Sequence, residues 1–162
     1  MVFDTSTLIL SAKIDLLSPW AERFCLLISK AVEKEALAKP EAYDAQLIGK
    51  LIGGKKIRVV SGGFDSEFVR HLQKQFRLAR GEASALALAK NKQAVLAVDD
   101  GPAIKAAKIL GVPFVTCLHI LIELYHQKLL SRESALEKLN AVERLARYDA
   151  RWIADAQNQI NR

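Results

Sequence analysis

Residues 77–116 read RLARGEASALALAKNKQAVLAVDDGPAIKAAKILGVPFVT, and this stretch decides the fold. Its Ala/Leu-rich part predicts a helix over 82–90, and the apolar run 94–98 predicts a buried strand. Gly101-Pro102 then opens a second helix, since proline is favoured in a first turn, and Gly111 ends it. A short strand is predicted over 113–116. Helix, strand, helix and strand in this order indicate an α/β fold with parallel strands.

The same alternation extends along the rest of the chain. Further strands are predicted over 1–3, 24–28 and 57–60, and further helices over about 8–17, 30–38, 41–52, 65–76, 118–128, 132–147 and 149–160. This pattern predicts a three-layer α/β/α sandwich whose central, mostly parallel sheet has four to five strands. We expect one domain over 1–130 and a C-terminal helical extension over 131–162 that packs on the same domain.

The composition is that of a globular protein with an excess of positive charge. Of 162 residues, 51% are hydrophobic and 26% are charged, so large-scale disorder is not expected. The formal net charge is +6, which suits a polyanionic partner such as nucleic acid.

The cysteines and the apolar runs indicate a reducing, aqueous environment. Cys25 and Cys117 are far apart in apolar stretches, so we expect two buried free thiols and no zinc site. No run of apolar residues is long enough to cross a bilayer, and no signal sequence opens the chain. We therefore expect a cytoplasmic protein with no membrane partner.

Acidic residues occur where predicted strands end. Asp4 follows the first strand, the Asp99-Asp100 pair follows the fourth, and Glu35 and Glu82 lie near the starts of helices. In parallel sheets the carboxyl ends of the strands form one edge, so these carboxylates could face a common site. Carboxylates brought together repel one another unless cations neutralise them, and oxygen ligands without His or Cys select Mg²⁺ or Mn²⁺.

Each of these acids also has an ordinary structural explanation. Asp4 could simply cap the following helix, Glu82 could complement a helix dipole, and Glu35 could be a solvated surface charge. One member of the Asp99-Asp100 pair is expected to cap the helix that opens at Gly101, and the sequence leaves open which one.

Three blocks of the chain resemble the PIN-domain family. The opening VFDTSTLILSAKIDLL resembles the first strand and helix of PIN domains, and AVEKEAL resembles their V-x-x-E element, which selects Glu35 rather than Glu33. Residues 77–116 resemble the GE-x-x-A-[IL]-x-LA … DD-x-x-A-x-x-A-x-x-LG pattern of a PIN subfamily of predicted nucleic-acid-binding proteins close to VapC-type toxins. The resemblance covers residues 1 to about 130.

The resemblance implies a Mg²⁺- or Mn²⁺-dependent endoribonuclease, the toxin of a toxin–antitoxin pair. Matching residues give an acidic metal site of Asp4, Glu35, Glu82 and Asp99 or Asp100. Many PIN toxins have Asp where this chain has Glu82, although the subfamily it resembles has Glu there.

Other polar residues near the acidic blocks are candidates for supporting roles. Thr5 and Ser6 could support the acids through their hydroxyl groups, although helix capping explains them equally well. Lys13, Arg80 and Lys105 follow acidic blocks and are predicted to contact RNA. Three further cations share one helical face and are also candidates for RNA contact, although a solvated surface is the favoured interpretation of them; they are Arg70, Lys74 and Arg77. The isolated histidines, His71, His119 and His126, are interpreted as structural or surface groups.

Two alternatives remain open at this point. A PIN-like module could bind nucleic acid without catalysis, although acids at all four blocks argue against that. The amphipathic C-terminal helices could pack on the core, form a homodimer or receive the helix of an inhibitory antitoxin.

Overall fold

The computed structural model describes residues 1–162 and contains one five-stranded sheet. The strands are β1 (Val2–Phe3), β2 (Leu26–Ser29), β3 (Ile57–Val60), β4 (Leu96–Ala97) and β5 (Phe114–Val115). Their order across the sheet is β3-β2-β1-β4-β5, and every neighbouring pair is parallel. The predicted parallel sheet of four to five strands is therefore confirmed.

Ten helices surround the sheet. They are α1 (Thr5–Lys13), α2 (Leu17–Arg23), α3 (Lys30–Ala36), α4 (Tyr43–Gly53), α5 (Ser66–Phe76), α6 (Arg80–Lys92), α7 (Gly101–Ile109), α8 (Cys117–His126), α9 (Arg132–Leu145) and α10 (Ala150–Asn161). Helices α5, α6 and α7 contact one another as one layer, and α1, α2, α4 and α8 form the other. This is the predicted α/β/α sandwich. None of the helices is long and apolar enough to cross a membrane.

The central strand β1 is completely buried beneath the helices. Val2 and Phe3 are fully buried, and Val2 is in register with Leu27 on one side and Leu96 on the other. A strand covered on both faces is expected to be continuously apolar, as β1 is. Helices α9 and α10 pack on each other and on α8, and their buried side chains belong to the same core as the sheet.

The start of the chain differs from the prediction in one helix. We expected a single helix reaching Leu17, because apolar residues recur at helical spacing that far. Helix α1 instead ends at Lys13, and Asp15 adopts a left-handed conformation with φ 55°. A separate helix, α2, then begins at Leu17. The helical spacing of apolar residues therefore continued across the turn that separates the two helices.

The expectation of two buried thiols was wrong for Cys25. The apolar run 24–28 enters the sheet only at Leu26, which leaves Phe24 and Cys25 exposed before the strand. The Cys25 Sγ accepts a hydrogen bond from an Arg58 guanidinium nitrogen at 3.2 Å. Cys117 is buried, and burial raises the pKa of its thiol.

The strand order brings three strand ends together. Strands β2, β1 and β4 are adjacent and parallel, so the residues that follow them leave the same edge of the sheet. Asp4 follows β1 directly, and α3 follows β2 directly. Asp99 comes two residues after β4.

Candidate active site

Asp4 joins β1 to α1 and is completely buried. One carboxylate oxygen, Oδ1, accepts a hydrogen bond from the Thr7 amide at 2.8 Å, which makes Asp4 the N-cap of α1. The other oxygen, Oδ2, accepts from the Ser6 hydroxyl at 3.0 Å. The capping explanation is correct for Asp4, but the second oxygen is not needed for the cap.

Burial raises the pKa of Asp4 to about 7. The hydrogen bonds from Thr7 and Ser6 lower this pKa, and the negative charge of Asp99 raises it further. Asp4 lacks a counter-charge, because no cationic side chain forms an ion pair with its carboxylate.

Glu35 is an exposed residue of α3 that reaches toward α1 and α6. Its Oε2 accepts a hydrogen bond from the Thr5 hydroxyl at 2.5 Å, and its Oε1 accepts from the Gly81 amide at 3.1 Å. Glu33, the alternative in the sequence, forms an ion pair with Lys30 on its own helix instead. The structure therefore places Glu35, and not Glu33, beside the other acids.

Glu82 lies in the first turn of α6 and is half-buried. Its Oε2 accepts a hydrogen bond from the Ala79 amide at 2.8 Å, so this side chain does serve the helix terminus. Burial raises the pKa of Glu82, and the charges of Asp100 and Glu35 raise it further. Glu82 thus lies close enough to both acids for their negative charges to raise its pKa.

The two adjacent aspartates have different partners. Asp100 is the N-cap of α7, and its Oδ2 accepts from the Ala103 amide at 3.2 Å. The Oδ1 atom of Asp99 accepts from the Cys117 amide at 3.0 Å and from the Tyr148 hydroxyl. The Oδ2 atom of Asp99 is buried and has no hydrogen-bond partner.

The five acids, together the acidic series, form two groups that are linked by the hydrogen bond from Thr5, the residue after Asp4, to Glu35. Asp99 influences Asp4, while Asp100 and Glu35 both influence Glu82. As the side chains stand, no three of them are grouped so that they could hold a metal ion together. The donor set nevertheless consists of oxygen atoms only, and a buried carboxylate oxygen without a partner is costly unless something else binds it.

One known family matches nearly the whole chain. The chain matches DUF3368, a PIN domain family, over residues 1–161. The chain belongs to the PIN-domain family. Neither the curated proteins nor the solved structures gave a match. The resemblance inferred from the sequence is confirmed, the match extends through the C-terminal helices, and membership suggests nuclease activity in general.

A basic cavity lies beside the acids of this PIN domain. Three cations on three helices line it, namely Lys30 on α3, Arg70 on α5 and Arg80 on α6, and its volume is about 430 Å³. No acidic side chain is among its lining residues, and Arg70 and Arg80 form no ion pair. Arg80 immediately precedes Gly81 and Glu82, so the cavity adjoins the acidic series.

The other cations predicted to contact RNA lie elsewhere. Lys13 is exposed at the C-terminal end of α1, roughly 13 Å along the helix from Asp4 at 1.5 Å per residue. Lys105, Lys74 and Arg77 are exposed and do not line the basic cavity. The structure therefore groups Arg80 and Arg70 near the acids and places Lys13 away from them.

Sequence reasoning missed Tyr148 and the groove around it. The hydroxyl of Tyr148 contacts Asp99, and burial, together with the Asp99 charge, raises the Tyr148 pKa. A groove of about 930 Å³ runs from Asp99 between α8 and α10, and its lining includes Phe114, Tyr148 and Trp152. No local motif could have indicated this contact, because 49 residues separate Tyr148 from Asp99.

The histidines are not part of the acidic series. The Nδ1 atom of His119 lies 2.8 Å from the Thr116 hydroxyl at the start of α8. The His126 ring lies against Tyr125, with 5.9 Å between ring centroids, and His71 is exposed on α5. His119 and His126 do contribute to the lining of the groove near Asp99.

Proposed function

We propose that this PIN domain is a Mg²⁺- or Mn²⁺-dependent endoribonuclease. The observation that carries the proposal is the buried, unpartnered Oδ2 of Asp99 beside the fully buried Asp4, at the edge where three strand ends meet. Asp4, Glu35, Glu82 and Asp99 would hold the ion, and Asp100 would add negative charge next to Glu82. A bound divalent cation supplies Lewis-acid stabilisation of the charge that develops on a phosphodiester during hydrolysis.

The protein's own groups prepare this site before any ion arrives. Ser6 and the Thr7 amide hold the Asp4 carboxylate, and Thr5 and the Gly81 amide hold Glu35. Burial of Asp4 excludes water from its carboxylate, which strengthens its attraction for a cation. Glu35 and Glu82 must rotate to complete the site, because their present hydrogen bonds join them to a hydroxyl group and to backbone amides.

RNA is the proposed substrate, and the basic cavity is its proposed phosphate contact. Arg70 and Arg80 present positive charge that no ion pair cancels, while the Lys30 ammonium pairs with Glu33 outside the cavity wall. Phosphate contacts of this kind position a strand without reading its sequence. A strand whose phosphates lie there would pass next to Glu35 and Glu82.

The finer biological role follows from the likeness to VapC-type toxins. We propose that the chain is the toxin of a toxin–antitoxin pair, with a protein antitoxin as partner and a homodimer as its assembly. Exposed apolar side chains such as Ile109, Leu145 and Trp152 are available for protein contacts. Expression should arrest growth, and Asp4→Asn should relieve the arrest; arrest by both forms would count against this role.

The alternative is a PIN-like module that binds nucleic acid without cleaving it. The two functions predict different responses to metal. The nuclease requires binding of Mg²⁺ or Mn²⁺ that depends on Asp4, whereas the binding module retains RNA affinity after metal removal and shows no cleavage.

The decisive experiment is cleavage of RNA by the purified chain. We expect cleavage with Mg²⁺ or Mn²⁺, none with EDTA, and none with Asp4→Asn or Asp99→Asn. Asp65→Asn is the matched control, since Asp65 is an exposed N-cap of α5 outside the acidic series. Wild-type rates in both Asp4→Asn and Asp99→Asn would refute the assignment of the site.

A further inference from the structure

We propose that Tyr148 is a positioning residue of the metal site, supplied by the C-terminal helical segment. Its hydroxyl fixes the Asp99 carboxylate so that one oxygen stays free for the cation. This inference rests on the proposed function and adds a residue that the acidic blocks of the sequence do not contain.

The position of Tyr148 is fixed by the helices on both sides of it. Helix α9 ends just before it, where the Ala146 amide donates to the Val142 carbonyl at 2.8 Å. Directly after it, Asp149 caps α10 by accepting from the Arg151 amide at 2.9 Å. A residue held between two capped helix ends can place a hydroxyl at a defined point.

The partners of Asp99 are distributed unequally between its two oxygens. The Tyr148 hydroxyl and the Cys117 amide both donate to Oδ1, while Oδ2 is buried without a partner. Two donors on one oxygen fix the rotation of the carboxylate and leave the other oxygen directed into the protein. Groups that hold a metal-binding carboxylate in this way commonly change metal affinity by about 10- to 100-fold when they are removed.

A contact with RNA or a purely structural tie would also place Tyr148 here, and the three roles predict different measurements. An RNA contact would raise KM and leave metal affinity unchanged. If the Tyr148 hydrogen bond only holds the helices together, its loss would lower the melting temperature as much as the loss of a similar hydrogen bond elsewhere. A positioning role would weaken metal binding and lower kcat with little change in KM.

The test compares Tyr148→Phe with Tyr125→Phe by Mn²⁺ titration of the full chain. Tyr125 is the matched control, because its hydroxyl donates to the Ile160 carbonyl at 2.9 Å and so ties α8 to α10 away from the acids. Both substitutions remove one tyrosine hydroxyl that holds the C-terminal segment. We expect Tyr148→Phe to raise the Mn²⁺ Kd by about 10-fold and to lower kcat similarly, while Tyr125→Phe leaves both at wild-type values.

Asp99→Asn in the same titration separates this inference from the proposed function. If Asp99→Asn weakens Mn²⁺ binding and Tyr148→Phe does not, the positioning role is wrong and the metal site stands. If both tyrosine variants weaken binding equally, Tyr148 acts only by holding the helices, which also overturns the proposal. If the wild-type chain binds no Mn²⁺, the proposed function and this inference fail together.

Discussion

Individual carboxylates of this site serve the fold and the site at once. Asp4 caps α1 with one oxygen, Asp100 caps α7, and Glu82 accepts from a backbone amide at the start of α6. Asp99 accepts from the first amide of α8 with Oδ1, and its Oδ2 is left without a partner. The acids therefore differ in how much of each side chain the fold already uses.

Asp4 should make the stability of the metal-free protein depend on pH. Its pKa is about 7 in the folded protein against an ordinary value of 3.8, so between these pH values the folded chain retains a proton that the unfolded chain has lost. The stability contributed by protonated Asp4 is complete below pH 3.8 and is lost as pH rises through 7, a change on the order of 4 kcal/mol at most. Asn cannot ionise, so the advantage of Asp4→Asn over wild type should grow as pH rises.

Thermal melts in EDTA between pH 5 and 8 measure this effect. Asp65→Asn, at an exposed helix cap, should follow the wild-type curve at every pH. An offset between Asp4→Asn and wild type that stays constant over this range would show that the Asp4 carboxyl ionises normally.

The adjacent aspartates should separate by function when each is changed to Asn. Asp100→Asn should retain most activity and stability, because Asn caps helices about as well as Asp. Asp99→Asn should lose cleavage, because the amide replaces the oxygen or the charge that a cation needs. The measurement is the initial rate of cleavage at saturating Mg²⁺, together with the melting temperature of each variant. Equal losses of activity in both variants would contradict the assignment of Asp99 as the metal ligand and Asp100 as the helix cap.

At the scale of elements, the site depends on close contact between α6 and its neighbours. Ser84 on α6 lies 2.7 Å from the Ser29 hydroxyl at the end of β2, and it also donates to the Gly81 carbonyl at 2.9 Å. Gly81 lies against Glu35 and Thr5, and a Cβ at this position would overlap both side chains. The absence of a side chain at residue 81 is what lets Glu35 reach the backbone of α6.

Gly81→Ala should therefore lower activity without unfolding the protein. The carboxylate of the exposed Glu35 can swing into solvent and the Thr5 hydroxyl can rotate away, so we expect little change in melting temperature. Displacement of Glu35 should reduce kcat, by about 100-fold if the shift reaches 1 Å. Gly49→Ala in α4 is the control, since its Cβ would make ordinary contact with Leu37 at 3.9 Å; equal activity in both variants would exclude a role for the Glu35 position.

Local patterns predicted most elements but not their contacts. The run 94–98 ending in two aspartates predicted β4 and the start of α7, because an apolar strand and a capped helix are both local features. The end of α1 before Asp15 was not predicted, because the left-handed conformation of Asp15 does not alter the spacing of apolar residues. Within the site, the positions of the predicted strand ends indicated the acidic residues. The Tyr148 contact instead depends on how α9 and α10 pack.

At the scale of the whole molecule, two concave surfaces of different chemistry adjoin the acidic series. The basic cavity adjoins Glu35 and Glu82, and the larger groove with aromatic side chains begins at Asp99. The net charge of +6 provides general attraction for a polyanion, while the acids are concentrated at one edge. An RNA strand crossing this edge would contact the cations of the basic cavity first and, beyond the acids, the aromatic side chains of the groove.

The basic cavity should control RNA affinity and its dependence on salt. Arg80→Gln should weaken binding about equally for different sequences and reduce the slope of log K against log salt by about 1, because one phosphate contact and its counterion release are lost. Lys13→Gln removes the same charge at the far end of α1 and should leave the slope unchanged. Both changes are best made in the Asp4→Asn protein, so that cleavage does not interfere, and Kd is then measured at several salt concentrations. Equal slopes for Arg80→Gln and Lys13→Gln would mean that RNA is attracted by net charge alone and that the cavity is not its path.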